Sequence, residues 1–380
     1  MTNNALGSRA GSELYVQELA QELIARGHDV AAFSTQVGAL GETMKKQGVA
    51  VVDDLDQLQW TPDIIHAQHH LETMIAVAYF SRTPAVYFCH GWKPWQEAPP
   101  SHPRIVTYIA VDAKTMEHAI VEHHVPSDNI NIMHNFVDLI RFKKRNPLPK
   151  TPQKALVFSN YANENNFLPY IQEACKKAKI SLDVVGLSSG NPTERPEEIL
   201  GNYDLVFAVG RSALEALASG VSVVICGVWG VGPMVTFQEV KKIRDLNFGV
   251  AAMHSELDAD IIYKEICRYD SIDAMRVTDY LRERVGLDRA VDHIEKLYAD
   301  IVEKFSPIKI DAENDFRAHA RYLKNIAILL KQNIENCSSM QGQLLRKDIT
   351  LQQRDQEIAL MQKSKFWKMR NKYLAIKKIF

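Results

Sequence analysis

The sequence predicts an α/β protein made of two Rossmann-like halves followed by a long helical tail. Three observations carry this expectation. Short apolar runs alternate with amphipathic helical stretches from Gly11 to Ile225. The segment Arg145-Asn146-Pro147-Leu148-Pro149-Lys150-Thr151-Pro152 interrupts the alternation once, and beyond Pro307 there is no further proline and a single glycine, Gly342. Apolar runs set between helices suit a parallel sheet covered on both faces, whose strands have no wet side and need not alternate.

The elements follow in order. Leu14, Leu19 and Leu23 mark an amphipathic helix that Arg26-Gly27-His28 stops, because glycine just past the last periodic residue ends a helix. Val30-Ala31-Ala32-Phe33 is the strand that follows, and the pattern repeats at 49–52, 64–66, 85–88 and 105–109. The Pro/Lys-rich stretch reads as a linker. Strands resume at 155–158, 182–185, 205–208 and 221–225, with helices at 167–179 and 212–219 between them. The expected boundaries are a first domain at 1–146, a linker at 147–152, a second domain at 153–305 and a tail at 306–380. In the tail, heptad counting places Leu323, Leu330, Cys337, Leu344, Leu351 and Ile358 on one seam. The second seam, Ile326, Asn333, Met340, Lys347, Arg354 and Met361, is half polar. An imperfect coiled coil and a single amphipathic helix both fit.

Composition narrows the function. A chain of 380 residues is longer than one core usually supports, and 46% apolar with 24% charged residues is a globular balance. No apolar run is long enough to cross a bilayer and no charged-then-apolar leader opens the chain, so a cytoplasmic location is expected. Net charge of -1 gives no argument for nucleic acid. The five cysteines are scattered without zinc spacing, which argues against disulfides and a structural metal. From Lys363 to Phe380, however, seven bases and no acid are interleaved with Phe366, Trp367 and Tyr373. Such a mixture suits either an interfacial helix on the inner face of an anionic membrane or a helix docked on a partner.

Several separate stretches resemble glycosyltransferase family 4 of the GT-B fold, over roughly the first three hundred residues. They are Gly11-Ser12-Glu13 with Leu19-Ala20, Arg26-Gly27-His28-Asp29-Val30, Pro62-Asp63-Ile64-Ile65-His66, Cys89-His90-Gly91, Asn135-Phe136-Val137-Asp138, and Gly210-Arg211-Ser212-Ala213-Leu214-Glu215-Ala216-Leu217-Ala218-Ser219-Gly220. The resemblance implies two Rossmann-like domains facing a cleft. It implies a retaining, metal-independent transfer of a sugar from a nucleotide donor to a polysaccharide or lipid-linked glycan, with no cofactor beyond that substrate.

Physically, the donor site belongs outside the carboxyl ends of the strands. Gly210, Arg211, Ser212 and Ala213 follow the apolar run 205–208 there and open a helix whose free N–H groups favour a diphosphate. Arg211 can add a bidentate phosphate contact. The resemblance assigns Glu215 to the ribose hydroxyls and His90 to the transferred sugar. Flanked by Ala213, Leu214, Ala216 and Leu217, Glu215 has little exposed surface to occupy, and a carboxylate is seldom buried without a task. Gly7, Arg9 and Gly11 form a candidate acceptor or phosphate loop.

Departures from the family pattern are plain. Only Met1-Thr2-Asn3-Asn4 precedes the glycine loop, so part of the first strand is expected to be missing. The Arg/Lys pair of the family is absent from Phe158-Ser159-Asn160-Tyr161-Ala162-Asn163-Glu164-Asn165-Asn166, and Phe207 stands where the first of two spaced glutamates belongs. Arg211, or in second place Arg195, is left to supply the phosphate charge. A catalytically silent scaffold in a glycan-assembly complex is the alternative. Gly227-Val228-Trp229-Gly230-Val231-Gly232 lacks dinucleotide spacing and reads as a ligand loop or a plain turn. His66, His69 and His70 read as strand-end histidines rather than a metal site.

Overall fold

The computed structural model describes residues 1–7, 11–305 and 311–377. Arg9 lies outside the described residues. The chain divides into two compact units, Met1–Asp315 and Phe316–Phe380.

The first half of the large unit holds strands β1 (Ala31–Phe33), β2 (Ala50–Val52), β3 (Ile65–Ala67), β4 (Ala85–Cys89), β5 (Ile105–Ala110) and β6 (Ile130–Ile132), with helices α1 (Gly11–Ala25), α2 (Ala39–Lys46), α3 (His70–Tyr79) and α4 (Ala113–Val121). All strand pairs here are parallel, β1 with β2 and then β3-β4-β5-β6. Residues 1–3 join the two groups. Thr2 N donates to His66 O at 3.0 Å, while Phe33 N donates to Met1 O at 2.8 Å and Asn3 N to Phe33 O at 3.0 Å. The Met1 ammonium donates to Ala31 O, and burial pushes its pKa down to about 5. Beside it lies an apolar groove of about 580 Å³, lined among others by Met1, Val30, Ile64 and Tyr298.

The second half holds β7 (Lys154–Phe158), β8 (Ser181–Val185), β9 (Leu205–Ala208), β10 (Ser222–Gly227) and β11 (Gly230–Met234), in the order β11-β10-β9-β7-β8. Its helices are α5 (Leu168–Ala178), α6 (Pro196–Ile199), α7 (Arg211–Ala218), α8 (Val240–Asp245), α9 (Ala259–Ile266), α10 (Ser271–Arg282) and α11 (Leu287–Lys304). Alternate residues of each central strand enter different cores. Leu205 and Phe207 of β9 face one cluster and Val206 and Ala208 the other, as do Ala155 and Val157 against Leu156 in β7. This two-sided burial explains the uninterrupted apolar runs.

Each of the nine runs expected as a strand is one, with ends shifted by at most two residues. Two strands were not anticipated. β6 is short and carries exposed Asn131 and Ile132. The turn reading of 227–232 holds for Val228 and Trp229, which close a hairpin, and fails from Gly230, where β11 begins: Gly227 pairs with Gly230 antiparallel to β10. Glycine is required there by close approach, because a Cβ on Gly230 would stand 2.4 Å from Ser255 O and one on Gly232 would stand 2.5 Å from Ala252 O.

α11 returns to the first half. Its Leu287, Val291 and Ile294 pack with Tyr15 and Leu19 of α1 and with Val86 and Phe88 of β4. Arg26 beside α1 reaches Asp292 at 2.6 Å and Glu295 at 2.7 Å. The second unit by itself is nearly one helix, α12 (Ala312–Lys363, 52 residues), followed by α13 (Lys365–Lys377). At about 1.5 Å per residue α12 spans about 78 Å. The seam residues Leu323, Leu330, Leu344, Leu351 and Ile358 are all exposed along it. Among the described residues no helix is long and apolar enough to cross a membrane.

Ile294 is fully buried between the halves of the large unit. Ile294→Ala is expected to cost about 2–5 kcal/mol, as removal of a core side chain does, read as a lowered urea midpoint at unchanged slope.

Candidate functional site

The site is built at the carboxyl ends of β3, β4 and β9. After β9 the chain turns sharply at Gly210, whose φ of 63° suits glycine and whose N–H donates to Phe248 O at 2.7 Å. α7 starts one residue later. Ala213 is buried in the core, so only its backbone faces the helix start, whereas Ser212 is half-buried.

Arg211 and Glu215 share one face of α7, four residues apart, and Arg211 Nε donates to Glu215 Oε1 at 2.9 Å. The other edge of the guanidinium is taken by Glu18 Oε2, on α1. Glu18 Oε1 in turn accepts from Arg141 Nη1 at 3.0 Å, and Arg141 Nε pairs with Glu197 on α6 at 3.0 Å. A chain of five charges therefore runs between the halves. Glu18 and Glu215 are each 4% exposed. Burial raises the Glu215 pKa, with Arg211 acting against that rise. Burial also opposes the charge on Arg211, but Glu18 and Glu215 outweigh it and hold the guanidinium above its ordinary value.

His90 follows β4 directly. Its ring meets Tyr15 edge-on, 4.4 Å between centroids. His90 Nε2 and Tyr15 Oη are both buried without a hydrogen-bond partner among the described residues. Burial pushes the His90 pKa down to about 4 despite nearby Glu97, with Arg211 and His69 adding to the fall. The imidazole is thus neutral near pH 7. Under it, Glu97 Oε2 accepts from His90 N at 3.2 Å and Glu97 Oε1 lies 3.4 Å from His69 Nε2. Burial alone would raise the Glu97 pKa, yet His69 and His90 keep it below the usual value. His69 carries φ of 61°, uncommon for a non-glycine residue, and its Nδ1 accepts from Asn4 N at 2.8 Å.

The three clustered histidines do not converge. His66 Nδ1 meets Tyr298 Oη at 2.5 Å, His69 serves Glu97, and His70 lies edge-on to Trp95 at 4.4 Å. Arg195, the second-place base, is 70% exposed and paired with Glu198. Gly7 lies against Gly38, which a Cβ would bring to 2.8 Å from Gly7 Cα, and Gly11 is the exposed first residue of α1. In 158–166 the asparagines serve the loop itself: Asn166 Oδ1 accepts from Asn163 N and Asn163 Oδ1 from Asn165 N.

Tyr15, Glu18, Glu97 and Arg244 were not anticipated. Glu18 had a signal, since it falls three residues after Tyr15 on the buried side of α1. Arg244 had none. It is a cation with no carboxylate pair: Nη2 donates to Asn135 O at 2.5 Å and Nη1 is buried without a partner among the described residues. Burial lowers its pKa to about 10. Three residues on, Asn247 and Phe248 hold φ of 51° and 53°, and it is Phe248 O that accepts from Gly210. Strain of that kind gathers where geometry is over-determined.

Two outcomes follow. Glu18→Ala leaves Arg211 and Arg141 short of a buried partner and is expected to cost about 3–5 kcal/mol in thermal or urea unfolding. His90 and His70 both have pKa values pushed down to about 4 by burial. Their contribution to stability is complete above the unfolded value near 6.5 and is lost as pH falls toward about 4, where the unfolded chain binds more protons. Tm should therefore fall between pH 6.5 and 4, and less steeply in His90→Gln.

No protein-family model matches the sequence, and no curated protein matches it. Solved structures do. A glycosyltransferase from Rickettsia africae ESF-5 matches with a TM-score of 0.58 at 14% identity, over 80% of this chain and 98% of that one. HepE from Anabaena in complex with UDP-glucose matches with a TM-score of 0.57 at 13% identity, over 79% of this chain and 98% of that one. The same protein in complex with UDP and glucose gives 0.57 at 13%, over 78% and 98%. Likeness at such identities is a likeness of architecture, and the chain has the GT-B fold, α/β with parallel sheets and a C-terminal helical stretch.

Proposed function

We propose that the chain is a glycosyltransferase of hexosyl type, moving a sugar from a nucleotide-sugar donor to a polysaccharide or lipid-linked glycan with retention and without a metal. One observation carries the reading. Glu215 is a buried carboxylate beyond the end of β9, in a helix that starts at Arg211 and faces neutral His90 and Tyr15 across the halves. In this reading Glu215 accepts from the ribose hydroxyls. The N–H groups of Arg211, Ser212 and Ala213 hold the diphosphate, whose charge grows as the bond from sugar C1 to its oxygen breaks; the acceptor hydroxyl oxygen bonds to C1 on the same face, and its proton passes to the departing phosphate oxygen. His90 Nε2 and Tyr15 Oη lack partners and fit the hydroxyls of the transferred sugar. Arg211 is already neutralised by Glu18 and Glu215, so Arg244 is the better source of positive charge for the phosphates. UDP is the first nucleotide to test because HepE is in complex with UDP-glucose.

The silent scaffold remains a second reading, favoured by that same neutralisation of Arg211 and by the absence of a base from 158–166. The tail supports either reading. The exposed seam from Leu323 to Ile358 fits a coiled-coil partner, and the basic aromatic end fits the inner face of the plasma membrane, where a lipid-linked acceptor sits.

Thermal shift with UDP, GDP, dTDP and ADP separates these. One nucleotide should raise Tm, Glu215→Ala should abolish the shift, and Arg244→Gln should weaken binding about tenfold, about 1.4 kcal/mol. No shift with any nucleotide, or a shift that survives Glu215→Ala, sinks the transferase reading. Binding without nucleotide release from sugar nucleotides in a membrane extract would favour the scaffold.

A further inference from the structure

Three of the chain's five tryptophans, Trp92, Trp95 and Trp229, lie on the segments that directly follow β4 and β10. Trp95 is 49% exposed and Trp229 58%. Neither completes a core, and large indoles left in water tend to mark surfaces that something else covers. Trp92 and Trp95 lie two and five residues after His90. Trp229 is at the turn of the β10–β11 hairpin, whose Gly227 lies so near Val209 that a Cβ would come within 3.0 Å of it. Val209 is the residue before Gly210, so the two tryptophan-bearing segments flank the ends of β4 and β9 where the donor is placed.

Lys93 joins them. Its ammonium lies 3.0 Å from the centroid of the Trp229 ring and 4.9 Å from that of Trp92. Among the described residues no carboxylate pairs with it within the 4.0 Å of an ion pair. Both supports are held by contacts of their own. Glu97, at the end of the first segment, is anchored by His69 and by His90 N, and His70 backs Trp95. The hairpin is held by the close approach of residues 252–255 to Gly230 and Gly232.

We propose that Trp92, Trp95, Trp229 and Lys93 form the platform that takes the acceptor, and that the acceptor is an acidic saccharide. The proposal rests on the glycosyltransferase reading above. A pyranose ring has an apolar face of C–H groups rimmed by hydroxyls, and the flat indole matches that face while leaving the rim to water. A ring laid on Trp229 displaces the Lys93 ammonium from the indole, and the ammonium then meets the carboxylate or phosphate of the saccharide, a stronger partner than a π-face. The cation thus selects acidic chains, and the rings supply the contact area.

The test uses the full chain, titrated with a hexameric oligogalacturonate and with its fully methyl-esterified form as the neutral counterpart, followed by tryptophan fluorescence and calorimetry, with UDP thermal shift in parallel. The oligogalacturonate should quench fluorescence and bind at least tenfold tighter than the methyl ester. Trp95→Ala and Trp229→Ala should each weaken it at least tenfold, Trp229→Phe should retain most of it, and Lys93→Gln should bring it to the level of the methyl ester, all with the UDP shift unchanged. The platform is overturned if both alanine variants bind as the wild type does, or if neither saccharide binds while UDP still raises Tm. Equal binding of the two saccharides with no effect of Lys93→Gln overturns the acidic preference. Tryptophan-dependent saccharide binding in a protein that responds to no nucleotide would uphold the platform and remove the transferase reading instead.

Discussion

The ion network Glu215–Arg211–Glu18–Arg141–Glu197 is the constraint on which the site depends. It links α7 of the second half to α1 of the first through a single guanidinium. Two buried carboxylates on one arginine are costly to desolvate and gain only if the geometry satisfies both, so the network is better understood as a device for position than as a source of stability. Remove the arginine and Glu215 is a buried acid with a raised pKa and no reason to ionise. Keep it, and a carboxylate stands ready where α7 begins. The same bond has a consequence for charge: the arginine that opens α7 is already compensated, whereas Arg244 and Lys93 have no carboxylate pair among the described residues.

Around this network the scaffold is closely packed. Tyr15, Phe88 and Phe136 pack in one core with Val291 and Ile294, so the ring against His90 is set by α11 returning to the first half. His69, Asn247 and Phe248 hold backbone angles that side chains disfavour. Each of them places an acceptor where a partner needs it, Nδ1 for Asn4, Oδ1 for Asn135 and a carbonyl for Gly210. Unfilled polar atoms on Tyr15 and His90 are the reverse of this, buried groups without a hydrogen-bond partner among the described residues.

The tail follows a different logic. A helix of 52 residues with Leu, Met and Ile exposed along one seam has no core of its own to fill. Outside a packed core such a helix depends on local propensity, and apolar surface on that scale is relieved by association.

The residues themselves determined the sheets. Runs such as Leu205–Ala208 and Ser222–Gly227 are apolar on both faces because helices cover both, and that pattern is local enough to read directly. Glu215 was legible for the same reason, as a charge among small apolar neighbours in one helix. What the linear order could not convey is which charges meet. Glu18 and Arg211 are 193 positions apart, and Glu97 is drawn under His90 by a loop without periodicity. The glycines at 227–232 look like a turn until residues 252–255 lie against them, since a close approach leaves no mark on the strand it constrains. Local periodicity is written in the chain because burial acts residue by residue. Pairing across the cleft is written only in three dimensions, because electrostatics and contact depend on distance in space.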